Sequence, residues 1–169
     1  MSTQALLKTY KLGDLELTNR VIMAPMTRGR ADNPEKKAIP ELHSEYYRQR
    51  ASAGLIISEG SQVSKDAVGY INTPGIHTKE QVEAWKDVTS EVHNADGKIF
   101  IQLWHVGRMS HPDFHGGELP LAPSPINPNS KSFTPEGFKD TDVPREMTAD
   151  DIKQTIEDFK QAAKNSMEA

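Results

Sequence analysis

Three short stretches of this chain carry side chains able to bind or to do chemistry, and each follows an apolar run. Gln102, Trp104, His105 and Arg108 crowd behind Ile99, Phe100, Ile101 and Leu103. Glu59, Gly60, Ser61 and Gln62 follow Leu55, Ile56, Ile57 and Ser58. Met26, Thr27 and Arg28 follow Arg20-Val21-Ile22-Met23-Ala24, which Pro25 stops because proline cannot donate to a central strand ladder. A carboxamide offers donor and acceptor together, a hydroxyl one adjustable bond, and an aromatic ring a rigid apolar wall. His105, His111 and His115 invite a zinc reading. Pro112, Gly116 and Gly117 preclude a helix presenting 111 and 115 on one face, and no fourth ligand joins them, so no metal is expected. No Walker loop, GxGxxG, HExxH or GxSxG occurs.

The elements that must position these groups follow from periodicity. Runs around Lys11-Leu12-Gly13-Asp14 predict a β-hairpin turning at Gly13-Asp14, a lid for a barrel floor. Arg20 to Ala24 is the first candidate buried strand. A polar loop, Gly29 to Ala38, leads to a helix from Pro40 through Ala53, with Gly54 as its C′ residue. Leu55 to Ser58 is the second strand, and Asp66 to Gly75 a loop. Thr78 and Gln81 form a capping box for a helix whose inward stripe is Val82, Trp85, Val88, Thr89 and Val92. The third strand, from Ile99, reads as buried on both faces. The long segment to Arg145 reads as irregular, a functional cap or disorder. Thr148 with Asp151 opens a last helix with Ile152, Ile156, Phe159, Ala163 and Met167 in its stripe.

A hairpin followed by strand and helix three times predicts an α/β fold with a parallel sheet. Apolar strands that turn polar at their carboxyl ends point to an α/β barrel, whose sites gather at that rim. A full eight-stranded barrel needs roughly 250 residues, so a chain of 169 with three such strands predicts a partial TIM barrel. One incomplete domain is expected over 1–169: a lid over 1–19, strands and helices over 20–106, a capping loop over 107–147 and a helix over 148–169.

Composition narrows the function classes. With 36% hydrophobic and 26% charged residues the chain is of ordinary globular make-up and can bury roughly 70% of its unfolded surface. A formal charge of −4, without long like-charge runs, gives no footprint for nucleic acid. The absence of cysteine excludes disulfides, thiolate metal sites and a cysteine nucleophile. Met1 to Leu7 is not a basic region before an apolar core, and no long apolar segment follows, so a cytoplasmic protein without membrane contact is expected.

Taken together, Asn19 to Arg28, Tyr46-Tyr47-Arg48-Gln49-Arg50-Ala51, Gly54 to Gly60, Gly69-Tyr70, Pro74-Gly75-Ile76 and Gln102 to Arg108 resemble the Old Yellow Enzyme family of FMN-dependent ene-reductases. The resemblance runs from about Leu7 to Ala169 and covers the N-terminal part of that family's barrel. It implies FMN as cofactor, with Pro25, Met26 and Thr27 along the flavin and the Thr27 hydroxyl tuning its O4 edge. Threonine there, where some relatives carry cysteine, resembles the yeast-like and enterobacterial-like subgroup. Gly60 would let backbone approach the pyrimidine ring, Gln102 would pair with N3–H and O2, and Tyr70 and Trp104 would wall the substrate pocket. Read without the resemblance, Thr27 fits a cap or turn former, Gly60 a strand end, Gln102 a buried amide satisfied by backbone, and Trp104 core packing.

The implied reaction moves a hydride from NADPH or NADH to FMN and on to an activated alkene such as an enone, a maleimide or a nitro compound. The carbonyl-binding pair, the proton-donating tyrosine and the phosphate grip belong to later strands in the family. The resemblance therefore implies completion by the remaining C-terminal barrel part, or by self-association of exposed sheet edges. The alternative is a non-catalytic barrel fragment or assembly module without a competent flavin site.

Overall fold

The computed structural model describes residues 3–32 and 35–169. Positions 1–2 of the expected lid and 33–34 of the expected Gly29 to Ala38 loop lie outside the described residues. A short helix α1 (Thr3–Leu6) precedes an antiparallel hairpin of β1 (Tyr10–Leu12) and β2 (Leu15–Leu17). Its turn sits at Gly13-Asp14, where Gly13 takes φ 60°, a left-handed conformation open to glycine at no steric cost.

Strands β3 (Ile22–Met23), β4 (Leu55–Gln62) and β5 (Ile99–Trp104) form a parallel sheet in that order, with helices α2 (Pro40–Arg48) and α3 (Lys79–Asn94) as crossovers. Helix α4 (Ala149–Glu168) follows the capping segment. Tyr47, Ile56, Ile76, Trp85, Val88 and Val92 are buried in the core between sheet and helices. Both predicted capping boxes are present, Thr78 with Gln81 at α3 and Thr148 with Asp151 at α4.

Several elements differ from the sequence reading. Strand β3 is two residues long because Arg20 donates its amide to Leu6 instead, and Pro25 follows close behind. Helix α2 stops at Arg48, since Arg50, Ala51 and Ala53 donate three residues back to Tyr47, Arg48 and Arg50 and tighten the coil. Gly54 is therefore no helix cap. It lies against Asn19, whose carbonyl oxygen would stand 2.1 Å from an added Cβ. The Asn19 carboxamide accepts from the Val21 and Gly54 amides and donates to the Ser52 carbonyl, stapling β3 to the turn before β4.

Strand β5 is covered on one face only. Ile99, Ile101 and Leu103 pack against the core, whereas Phe100 is 52% exposed. In α4 it is Ala162 that is buried, and Ile152, Ile156 and Met167 of the expected stripe face solvent, leaving an apolar groove between β5 and α4. The segment read as irregular carries its own pairings. Leu121–Ala122 (β6) pairs in parallel with Arg145–Glu146 (β9), and a hairpin of Lys131–Thr134 (β7) and Gly137–Asp140 (β8) rises between them. Arg108 ties the segment down by donating to the Ile126 carbonyl and the Ser124 hydroxyl. Among the described residues no helix is long and apolar enough to cross a membrane.

Two stability outcomes follow. Gly54→Ala drives a Cβ into the Asn19 backbone and is expected to lower unfolding free energy by about 3 kcal/mol, read by denaturant titration; an unchanged midpoint would remove the close approach as its cause. Burial lowers the His77, His105 and His115 pKa values from the ordinary imidazole value. The unfolded chain then binds more protons, so this contribution is complete above about pH 6.5 and is lost as pH falls below it. Melting temperature is expected to drop through that window and to drop less when the three histidines are replaced by glutamine. A profile with the same slope in the variant contradicts the assignment.

Candidate active site

The site is built on an irregularity in β4. Ile57 pairs with Phe100 and Gly60 with Gln102, so Ser58 and Glu59 together oppose Ile101. Side chains alternate along a strand, and one extra residue shifts the phase of everything after it. Gly60 thereby falls on the same face as Gln102, and Glu59 turns towards α2.

Glu59 is fully buried and meets two other segments, the stretch after β3 and helix α2. Its Oε2 accepts the Arg28 backbone N–H at 2.9 Å. Its own N–H donates to the Tyr47 hydroxyl at 2.9 Å, and its Oε1 lies 3.2 Å from His43 Nε2, close but off the line of a good hydrogen bond. His43 and Tyr47 stand four residues apart on α2, on one face of the helix. His43 Nδ1 lies 3.0 Å from both the amide nitrogen and the carbonyl oxygen of Ile39, which fixes the ring on the first turn of α2 with Nε2 towards Glu59. Burial foremost, and then the neighbouring Glu59, push the Tyr47 hydroxyl pKa up. The Arg28 guanidinium rests 4.4 Å from the centre of the Tyr46 ring.

Among the predicted site residues, Gly60 and Gln102 face each other across β4 and β5. Pro25, Met26 and Thr27 follow β3, with Thr27 exposed and bonded through its peptide to the tethered Arg28. Tyr70 and Trp104 stack, ring centres 5.6 Å apart and planes 19° from parallel. Trp104 also supplies a reason for Gly60 that spacing did not suggest. A Cβ at position 60 would stand 2.5 Å from the indole, so the residue leaves room for Trp104 itself.

Two groups at this rim suit a flat, hydrogen-bonding ring. Among the described residues, neither the Thr27 hydroxyl nor the Gln102 carboxamide has a hydrogen-bond partner, and Trp104 Nε1 is buried without one. The Thr27 hydroxyl faces solvent and the Gln102 carboxamide is half-buried, so both are open to a partner from outside the chain. The three histidines do not converge on a metal. His105 Nδ1 accepts from Gly107, His111 from Asp113, and His115 Nε2 meets the Ser110 hydroxyl. Among the described residues no group of three acidic or histidine side chains is placed to hold a metal ion.

Sequence reasoning set Glu59 among the polar groups after the second strand without giving it a role, and passed over His43, Tyr47 and Asn19 as site builders. The signal for Glu59 was a carboxyl inside an apolar strand, since such groups are almost never fully buried without partners. Asn19 at the mouth of a strand gave no comparable sign.

Comparison with known proteins agrees with this architecture. The chain is 42% identical over 167 residues to 12-oxophytodienoate reductase 1 of Oryza sativa subsp. japonica, covering 97% of this chain and 42% of that protein. It is similar to the old yellow enzyme homologue from Zymomonas mobilis, with TM-score 0.91 and 40% identity over 97% of this chain and 45% of the other. It is also similar to morphinone reductase in complex with tetrahydroNAD, with TM-score 0.88 and 42% identity over 96% of this chain and 46% of the other. The chain thus spans less than half the length of these relatives, and its fold is part of their α/β barrel. Residues 5–169 match the sequence pattern of the NADH:flavin oxidoreductase / NADH oxidase family, and the chain belongs to that family.

Proposed function

We propose that the chain supplies one side of the FMN site of an NAD(P)H-dependent oxidoreductase that reduces activated alkenes, including enones and maleimides, in the cytoplasm. The observation that carries this reading is the pair of uncommitted polar groups, Thr27 and Gln102, beside the Gly60 segment of a flavin-oxidoreductase fold. FMN, when bound, supplies hydride transfer; the protein supplies orientation and electrostatics. Thr27 donates or accepts one bond at the ring edge nearest the end of β3. Gln102 presents donor and acceptor side by side and so fixes which way the ring lies. Pro25 and Met26 give the ring an apolar edge to rest on. Tyr70 and Trp104, stacked on each other, form one aromatic wall that excludes water from the space above it and gives a flat, unsaturated substrate an apolar face to lie against.

Affinity is expected to be weak in the isolated chain, because the phosphate grip and the carbonyl donors are expected from the remaining C-terminal barrel part. The apolar groove between β5 and α4 and the open edge of β5 are where that part, or a second copy, would seat. A second reading, a barrel fragment without flavin, draws on one observation: the Trp104 indole fills the space over Gly60.

Titration with FMN separates the two. A perturbed flavin band and quenched flavin fluorescence support the first reading, and free-solution spectra throughout support the second. Gln102→Ala is expected to weaken FMN binding about tenfold, as for loss of bonds worth ~1–3 kcal/mol, with unchanged circular dichroism; equal affinity would remove Gln102 from the site. Gly60→Ala is expected to swing Trp104 off Tyr70, changing the near-ultraviolet dichroism and the indole fluorescence, whereas a spectrum identical to wild type would deny the contact.

A further inference from the structure

A buried carboxyl that no step of the proposed reaction uses calls for a reason, and its contacts supply one. Glu59 has no exposure to solvent, yet it sits one residue from Gly60. Its Oε2 is spent on a single backbone donor, the Arg28 N–H at 2.9 Å. That N–H belongs to the peptide joining Thr27 to Arg28, so holding it fixes the backbone torsion that aims Thr27. The far side of the carboxyl is backed by His43 at 3.2 Å, and His43 Nδ1 is in turn 3.0 Å from both the amide nitrogen and the carbonyl oxygen of Ile39. The Tyr47 hydroxyl takes the Glu59 N–H at 2.9 Å and fixes the backbone from which the carboxyl projects. The Arg28 side chain is held separately, over the Tyr46 ring at 4.4 Å. Thr27 itself is exposed and has no hydrogen-bond partner among the described residues. Its orientation therefore depends on its neighbour's tether.

We propose that Glu59 is a positioning residue for Thr27, acting through the Arg28 amide, with His43 and Tyr47 holding the carboxyl in place. The consequence for a bound flavin rests on the reading given above, whereas the tether itself does not. The chemistry asks for this. Strand β3 ends at Met23, so its ladder does not reach Thr27, and a side chain that must meet one atom of a ring needs a supporting layer that fixes its direction.

The test uses the full 169-residue chain with Glu59→Asp, Glu59→Met and Glu59→Gln, each checked for folding by circular dichroism. Glutamine keeps an acceptor oxygen at the same reach, aspartate withdraws it by one methylene, and methionine removes it. Amide exchange by NMR is expected to quicken about tenfold at Arg28 in the aspartate and methionine variants, measured against the Ile56 amide of the core, and to stay near wild type in glutamine. The Thr27 side-chain coupling constants are expected to average over rotamers in the first two and not in the third. If Met fails to fold, the Asp and Gln pair decides alone. Equal change at Arg28 and Ile56, or fixed Thr27 couplings in every folded variant, would show that Glu59 only stabilises the fold and would overturn the proposal. FMN titration of the same proteins tests the flavin reading separately. No perturbation of FMN by wild type counts against that reading and leaves the exchange result to decide on Glu59. Where wild type does perturb the flavin band, an identical band shift with the aspartate variant counts against the proposal, and a smaller or displaced one restored by glutamine supports it.

Discussion

A carboxyl taken out of water must find donors inside the protein, and that requirement at Glu59 organises the site. Desolvation of such a group costs several kcal/mol or more unless partners meet it. The neighbours come from two separate segments: the Arg28 amide after β3 donates to the carboxyl, and on α2 His43 stands beside the side chain while the Tyr47 hydroxyl accepts the Glu59 backbone N–H. Each of these segments has other reasons to be near, since the core around Ile56 and Trp85 already packs α2 and α3 on the sheet. Apolar burial is indifferent to small shifts, however, while a 2.9 Å bond is not. The hydrophobic core brings the parts together and the buried polar cluster sets their register.

The same place in β4 solves a problem of phase. A regular strand would have sent Glu59 and Gly60 to the faces opposite those they now occupy. Opposing two residues to Ile101 puts the carboxyl among helix side chains and the glycine beside Gln102. The glycine is then needed because Trp104, two positions past Gln102, folds back over it. Stacking of Trp104 on Tyr70 completes a layer in which sheet, loop and aromatic rings are mutually placed.

Much of this was legible in the residues alone, and the reason is locality. The Gly13 turn and the capping boxes at Thr78 and Thr148 are decided within four residues, and each lies where the pattern puts it. The strands showed as apolar runs. Their lengths did not, because β3 ends through competition from Leu6 for Arg20, and β4 continues past Ser58 through polar residues tethered to Arg28, Tyr47 and Thr73. The end of α2 depends on bonds three residues back that no propensity announces. Resemblance to a known family supplied Thr27, Gly60 and Gln102, and the structure adds the alignment of Gly60 with Gln102 and, among the described residues, no hydrogen-bond partner for the Thr27 or Gln102 side chain. It could not supply Glu59, whose partners lie 31, 16 and 12 positions away along the chain.

The pairing of β6 with β9 has a consequence for how this scaffold diversifies. Leu121–Ala122 and Arg145–Glu146 draw the two ends of the excursion together, with the Arg145 and Met147 amides closing the neck against Pro120 and Ala122. The segment between the two stems is held at that waist and at two further points, by Arg108 on Ser124 and Ile126 and by the ion pair of Lys139 with Asp113. The tip of the β7–β8 hairpin at Pro135 and Glu136 lies beyond those ties, so its outline, charge and length can change without pulling on the parallel strands. Descendants of one ancestral sheet can thus come to admit differently shaped molecules while the register beneath them stays the same.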